Sequence, residues 1–467
     1  MRLVVDLQAC QGLSSYRGIG RFADGLVGEM VGHAHGDEIC IALSDRFPDA
    51  VEAVKRRFSA LRSPSKIVVY RLVGPLAEMG QGNTWRTRAA ELMREAFLAA
   101  LAPDVVLVGS LFEGWVDDCV ASIGRLPSQS RTAVIHYDLI PWLRQDAYLG
   151  NPGSLAYYER KLASLRRADL LMAISEYSRE EAESCLSPDI GRVISVPGAA
   201  DARFKPPSMS PSQRAETCGR YGLLRPFAMC SPGGFDVRKN LPALIEGFAA
   251  MPAQVSARVD LVIVGSAPEQ LRAALSAQWN GTGLNASSLI FTGYVPDDDL
   301  VRLYAACEVF VFPSVHEGFG LPVLEAMSCG APTIASGTTS LVEVVGWPEA
   351  MFDPQSAASI GKLLARVLTE PAFRTALQEH ALRHAARFAW DKSAVKALEA
   401  CRTLAAEASA KRLGSSAAPD DYGYRQLIAA IGGIKEPIGP TQMELVAVAE
   451  AIAANEATAH AFRSGSI

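Results

Sequence analysis

The sequence has no uninterrupted apolar run approaching the ~20 residues that a membrane-spanning helix needs, so no transmembrane segment is expected. Peripheral association with a membrane surface stays open. The amino terminus, MRLVVDLQACQG, lacks a long apolar stretch ahead of a small-residue cleavage site, so no secretory leader is expected. The nine cysteines are odd in number, scattered, and form no C-x-x-C pair. That pattern argues against a disulfide framework and a zinc site, and reads as reduced thiols in a cytoplasmic protein. Charged residues are slightly sparse at 20%, and the net charge of −5 argues against a nucleic-acid-binding surface. A local basic cluster could still hold a phosphate.

What is present points to two α/β domains. The chain has 467 residues, 49% of them hydrophobic, whereas a single core rarely grows past ~250–300 residues. Strand patterns in the first half are RLVVDL (2–7), EICIAL (38–43), KIVVYRL (66–72), DVVLVG (104–109), TAVIHY (132–137), LLMAIS (170–175) and VISVPG (193–198). Those in the second half are FAMCSP (227–232), VDLVIVG (259–265), SLIFTG (288–293), VFVFPS (309–314) and PTIAS (332–336). Most are continuous apolar runs, as in a parallel sheet buried on both faces. The helical patterns between them make βαβ units. The proline-rich stretch ADARFKPPSMSPSQ (200–213) reads as a linker, and KRLGSSAAPDDYG (411–423) as a second soft stretch. A tail with two Ala-rich helical patterns follows. Its apolar face predicts packing on the body or on another module.

In open α/β sheets, ligands bind beyond the carboxyl ends of strands. After RLVVDL comes a loop with Gly12, Gly18 and Gly20 that opens a helix, a place where backbone N–H groups can approach a phosphate. A tight strand-to-helix turn would need the same glycines. After FAMCSP come Gly233, Gly234 and the adjacent cations Arg238 and Lys239, with Asn240 as N-cap for LPALIEGFA. Cations at a helix start oppose its dipole, which makes sense if an anion sits there; two solvated charges are the plain alternative. After VFVFPS comes HEGFGLPVLEAMSCG (316–330). Pro322 suits a first helical turn, placing Glu325 in that turn while Glu317 stays in the loop facing a cleft. A favourable first-turn charge and an ordinary loop acid would look the same. After TAVIHY, His136 and Asp138 stand at a strand end, where a lone histidine serves either structure or chemistry. The aspartates at 297–299 precede LVRLYAACE and are explained by capping and dipole stabilisation rather than a metal.

Taken together, these residues resemble glycosyltransferase family 4, retaining nucleotide-sugar enzymes of the GT-B fold. FPSVHEGFGLPVLEAMSCGAPTIAS is similar to the family's E-x7-E signature in context. GGFDVRKNLPALIEGFA, AISEYSRE (173–180), FTGYVPDDDLVRLYAACEVFVFPS and RFAWDKSA (387–394) follow the family's pattern over about residues 1–400. The resemblance implies two Rossmann-like, doubly wound domains facing a cleft. Residues 1–200 would form the acceptor-side domain, 201–213 a linker, and 214–385 the nucleotide-sugar domain. Residues 386–410 would form a helix packing back on the first domain, and 411–467 a linker and helical tail. It implies that Glu325 bonds the donor ribose and that Glu317 lies by the donor sugar. Backbone at Gly318, Phe319, Gly320 and Leu321 would receive sugar hydroxyls and diphosphate, with Gly234 alongside. Lys239 and Arg238 would neutralise the leaving group, Gly18 and Gly20 would close on the diphosphate, and His136 would line the sugar end. The base would sit near Gly265 and Tyr294. One departure is that the arginine many members carry before the lysine corresponds to Gly234, so Arg238 would supply that charge.

The implied substrates are a nucleotide-sugar donor, GDP-mannose first, and a glycan or lipid-linked glycan acceptor in surface-polysaccharide assembly, with no metal and no nucleic acid. Rhamnosyl or glucosyl transfer, a sugar-phosphate synthase and a non-catalytic nucleotide-sugar sensor are the alternatives. The tail is similar to the connector between tandem glycosyltransferase modules, which implies a further module as partner. The implied place is the cytoplasm, at the inner membrane face for a lipid-linked acceptor.

Overall fold

Each strand pattern forms a strand because its β-branched and aliphatic residues are apolar on both faces, and helices cover both faces. A computed structural model describes residues 1–61, 66–186, 189–412 and 422–467. The chain divides into two compact units, Met1–Pro197 with Trp390–Ile467, and Gly198–Ala389.

Unit 1 holds β1 (Arg2–Asp6), β2 (Glu38–Ser44), β3 (Lys66–Tyr70), β4 (Val105–Val108), β5 (Arg131–His136), β6 (Leu170–Ala173) and β7 (Arg192–Ser195). They form one parallel sheet ordered β3-β2-β1-β4-β5-β6-β7. Leu3 stands opposite Ile39 on one side and Val105 on the other. The strand order therefore reverses between β1 and β4. The helix Gly18–Gly32 follows β1 and buries Phe22, Leu26 and Met30. The ring of Trp390, which opens the helix Trp390–Arg412, lies edge-on to Phe22 at 5.1 Å. Arg402 ties that helix to Asp37 at 2.8 Å.

The tail also belongs to unit 1. The helices Tyr422–Gly432 and Gln442–Arg463 add Leu427, Ile431, Val448, Ile452 and Phe462 to the core formed by Trp85, Met93 and Phe97 of the helix Thr84–Ala100. Thr441 and Glu444 form a capping box at the start of the last helix. The soft stretch at 411–423 lies largely outside the described residues, at 413–421.

Unit 2 holds β8 (Phe227–Cys230), β9 (Asp260–Ile263), β10 (Leu289–Phe291), β11 (Val309–Phe312), β12 (Thr333–Ser336) and β13 (Met351–Phe352). Its parallel sheet runs β10-β9-β8-β11-β12-β13, with the reversal between β8 and β11. The proposed linker is corrected at both ends. Phe204 is buried against Tyr304, and residues 211–213 are helical, because Ser210 and Gln213 close a capping box at the start of Pro211–Arg220. The sequence reading did not place β13; two residues carry no pattern of their own, and pairing with β12 creates it.

Candidate functional site

The reversal point of the unit 2 sheet brings two loops together. β8 and β11 are parallel neighbours, Ala228 opposite Val309, so both chains leave the sheet at the same edge. The loop after β8 runs through Gly233 and Gly234 into a short turn, Val237–Lys239, and the helix Leu241–Ala249. The loop after β11 runs through His316 and Glu317 into the helix Leu321–Ser328. Backbone bonds lace them: Val315 N–H donates to the Arg238 carbonyl at 2.9 Å, and the Arg238 guanidinium donates to the His316 carbonyl at 2.9 Å.

At the centre is a charge cluster. Lys239 Nζ lies 2.6 Å from Glu317 Oε1, and Arg238 Nη1 lies 2.6 Å from Glu317 Oε2. Arg238 also pairs with Asp236 at 3.1 Å. Lys239 is buried, its ammonium 5.3 Å from the centre of the Phe312 ring. Burial by itself would raise the Glu317 carboxyl, but Lys239 and then Arg238 outweigh it and hold the pKa down at about 2. Burial pulls Lys239 below its usual range against the attraction of Glu317.

Glu317 stands in the loop, buried at 7% exposure and held by two cations. Two expectations are corrected here. Glu325 is the fifth residue of its helix, beyond the first turn, and is buried at 6%; the helix starts at Leu321, with Gly320 as a left-handed N-cap at φ 103°. A side chain at Gly320 would also meet Leu341 at 2.7 Å. Asn240 stands at the N-cap position but does not cap. It is left-handed, φ 55°, and its amide instead donates to the carbonyls of Pro313 and Pro354 at 3.2 and 2.9 Å.

The other candidates lie around this edge of the sheet or in unit 1. Gly318 and Phe319 are in the β11 loop, the Phe319 ring packed on Phe388. Gly265 and Gly293, at the ends of β9 and β10, share a bridge in which the Gly265 N–H donates to the Gly293 carbonyl at 3.0 Å. Tyr294 follows and is 76% exposed. In unit 1, Gly18 begins its helix, and Gly20 packs so tightly that a Cβ there would lie 2.5 Å from Ser15 Cα. His136 ends β5 as a buried side chain whose Nε2 bonds to none of the described residues. Burial lowers its pKa from 6.5 to about 4, Glu181 opposing.

The sequence reading overlooked Thr339 and Ser340, which bond to the Glu317 loop from the end of β12. Their signal was positional: residues after β12 must abut the loop after its neighbour β11.

The aspartates at 297–299 all lie in the first turn of Asp297–Ala306, with Pro296 at the N-cap position. Asp297 pairs with Arg203, and Asp299 with Arg220 and Arg302. Among the described residues, Glu113, Asp117 and Cys119 place ligand-type atoms within 4.8 Å of one another. Glu113 accepts from Ser110 and Ser14, and Asp117 from the Leu13 and Cys119 N–H groups. Burial first, then Asp117, keeps the Cys119 thiol protonated. These bonds account for the group as a brace between the loops after β1 and β4.

Residues 224–384 match the family described as "Glycosyl transferases group 1". Over 401 residues the chain is 36% identical to the serotype-specific mannosyltransferase WbdA of Escherichia coli, covering 85% of this chain and 48% of that protein. Over 249 residues it is 31% identical to the O-antigen chain mannosyltransferase B of Escherichia coli, covering 53% and 64%. The chain thus spans about half the length of the WbdA proteins it matches. Among solved structures, Anabaena HepE in complex with UDP and glucose superposes with a TM-score of 0.62 at 17% identity, covering 86% of this chain and 99% of that one. This likeness is one of fold: two Rossmann-like domains of the GT-B class with additional helices at the carboxyl-terminal end.

Proposed function

We propose that this chain, whose residues 224–384 match the group 1 glycosyl transferases, transfers mannose from GDP-mannose to a growing surface polysaccharide or lipid-linked glycan, with retention of anomeric configuration. The observation that carries the proposal is the Lys239–Glu317–Arg238 cluster at the reversal point of the unit 2 sheet. A sugar–diphosphate bond breaks with charge accumulating on the diphosphate, and preorganised cations there stabilise the transition state. Glu317 holds both cations in place and charged until that anion arrives. The same pairing makes Glu317 a weak nucleophile, so no covalent role is assigned to it. Glu325 is the proposed partner of the donor ribose. The choice of mannose and of an O-antigen-type acceptor follows the two Escherichia coli mannosyltransferases. The reaction is placed on the cytoplasmic side, at the membrane face for a lipid-linked acceptor, and acting beside a further glycosyltransferase module is part of the proposal.

The test is a thermal-shift panel of GDP-mannose, UDP-glucose and dTDP-rhamnose, followed by NMR of the product anomer. A donor at 100 times its Kd stabilises by about 2.7 kcal/mol. GDP-mannose is expected to give the largest shift and an α-linked product. A larger shift with another nucleotide sugar reassigns the donor, an inverted product removes retention, and no shift with any of them removes the proposal.

A further inference from the structure

Glu317 is held by more than its carboxylate. β12 lies beside β11 in parallel register, Ala335 opposite Phe312, so the chain leaving Ser336 runs past the loop that carries Glu317. Thr338, Thr339 and Ser340 follow in a row. Thr339 Oγ1 accepts the Glu317 N–H at 3.2 Å. The Ser340 hydroxyl, fully buried, lies 2.8 Å from the Glu317 carbonyl and 3.0 Å from that of Phe319, and its one proton is shared between them. Thr339 has φ +53°, a left-handed conformation that a β-branched residue rarely takes. Glycine would relieve that strain. Threonine supplies what glycine lacks, an oxygen facing the Glu317 N–H. Strained residues persist where their surroundings over-determine them, often at functional sites.

We propose that Thr339 and Ser340 are positioning residues for glycosyl transfer, fixing the peptide groups on both sides of Glu317 so that its carboxylate keeps Lys239 and Arg238 aimed at the leaving group. This rests on the reading of that cluster as the transfer site. Two contacts of 2.6 Å tolerate little displacement. Loosening the loop affects the transition state, where the cations meet developing charge, more than it affects donor binding.

The test measures kcat, KM for the donor and Tm, using the nucleotide sugar with the highest wild-type turnover in the panel and a mannose oligosaccharide acceptor. Thr339→Val keeps the shape and removes the acceptor oxygen; kcat is expected to fall about ten- to a hundredfold with KM nearly unchanged. Thr339→Ser returns the hydroxyl and is expected to restore kcat to within about twofold. Thr339→Gly removes hydroxyl and strain together, so kcat falls while Tm holds or rises, a pairing that a purely structural role does not give. Wild-type kcat in Thr339→Val, or a Thr339→Ser variant as impaired as Thr339→Val, overturns the proposal. A wild-type chain that turns over no nucleotide sugar overturns instead the reading on which it rests.

Discussion

Removing Lys239 takes one of two cations from a carboxylate buried at 7% exposure. Because Lys239 is itself buried, its loss carries a cost in stability beside any effect on activity. Lys239→Ala is expected to lower kcat by about 10²–10³ and to destabilise unit 2 by about 1–3 kcal/mol, Arg238 still partnering Glu317. Kinetics beside urea denaturation separates the two effects, and wild-type turnover in a folded variant removes Lys239 from the chemistry. On the proposed reading the glutamates divide by function: Glu325→Ala should raise KM for the donor more than it lowers kcat, and Glu317→Gln should do the reverse. A Glu317→Gln enzyme with wild-type kcat refutes that division. His136 carries a pH signature. Its pKa is depressed from 6.5 to about 4 by burial, so between those values the unfolded chain takes up a proton that the folded chain refuses. Its stabilising contribution is complete above pH 6.5 and falls as the pH drops, by about 3 kcal/mol at pH 4. Denaturation of wild type and His136→Asn at pH 7 and pH 5 should show a shallower dependence in the variant; equal slopes contradict this.

At the scale of elements, the last helix acts as a strap across the open edge of the unit 1 sheet. The chain leaving β3 has no strand beyond it in the sheet order. The Asn455 amide does the work of one, accepting the Arg71 N–H at 2.7 Å and donating to the Arg71 carbonyl at 3.0 Å. Arg86 pairs with Glu444, and Lys66 lies over the Phe462 ring at 4.9 Å. Covering an edge in this way guards against pairing with other chains. Asn455→Ala is expected to cost about 1–2 kcal/mol in unit 1, read as a lower urea midpoint; an unchanged midpoint would show that the helix holds without it. Every strand but β13 was legible as an apolar run. The strap was legible only as an apolar helix in need of a surface, because its partners Trp85, Met93 and Arg71 are more than 300 residues away in sequence.

For the whole molecule, the chain passes between units twice, at Pro197/Gly198 and at Ala389/Trp390. Each sheet reverses its strand order once, and that reversal is where an open α/β sheet binds ligands. In unit 2 the loops there carry cations. In unit 1 they carry Glu113 and Asp117, engaged by serines and backbone. On the proposed reading, neutralisation of a leaving diphosphate falls to Arg238 and Lys239, and transfer is expected to persist in excess EDTA. Complete loss restored by Mg²⁺ or Mn²⁺ would contradict this and make Glu113, Asp117 and Cys119 the ligands to mutate.

The sequence by itself determined the α/β class, most strand positions, and the presence of a glycine-rich cationic loop and of an E-x7-E spacing, because those depend on local apolar runs and on spacings within each loop. Tertiary structure decided what the charges do. Lys239 and Glu317 are 78 residues apart and meet because β8 and β11 are neighbours. That contact makes the two groups a buried pair with a carboxyl held at about 2. Strand pairing likewise made Asn240 a clamp between loops instead of a cap, and set Thr339 against the Glu317 N–H, a contact with no signature in composition or periodicity. Sheet order is a long-range property, so every function that depends on which loops are neighbours stays hidden until the strands are paired.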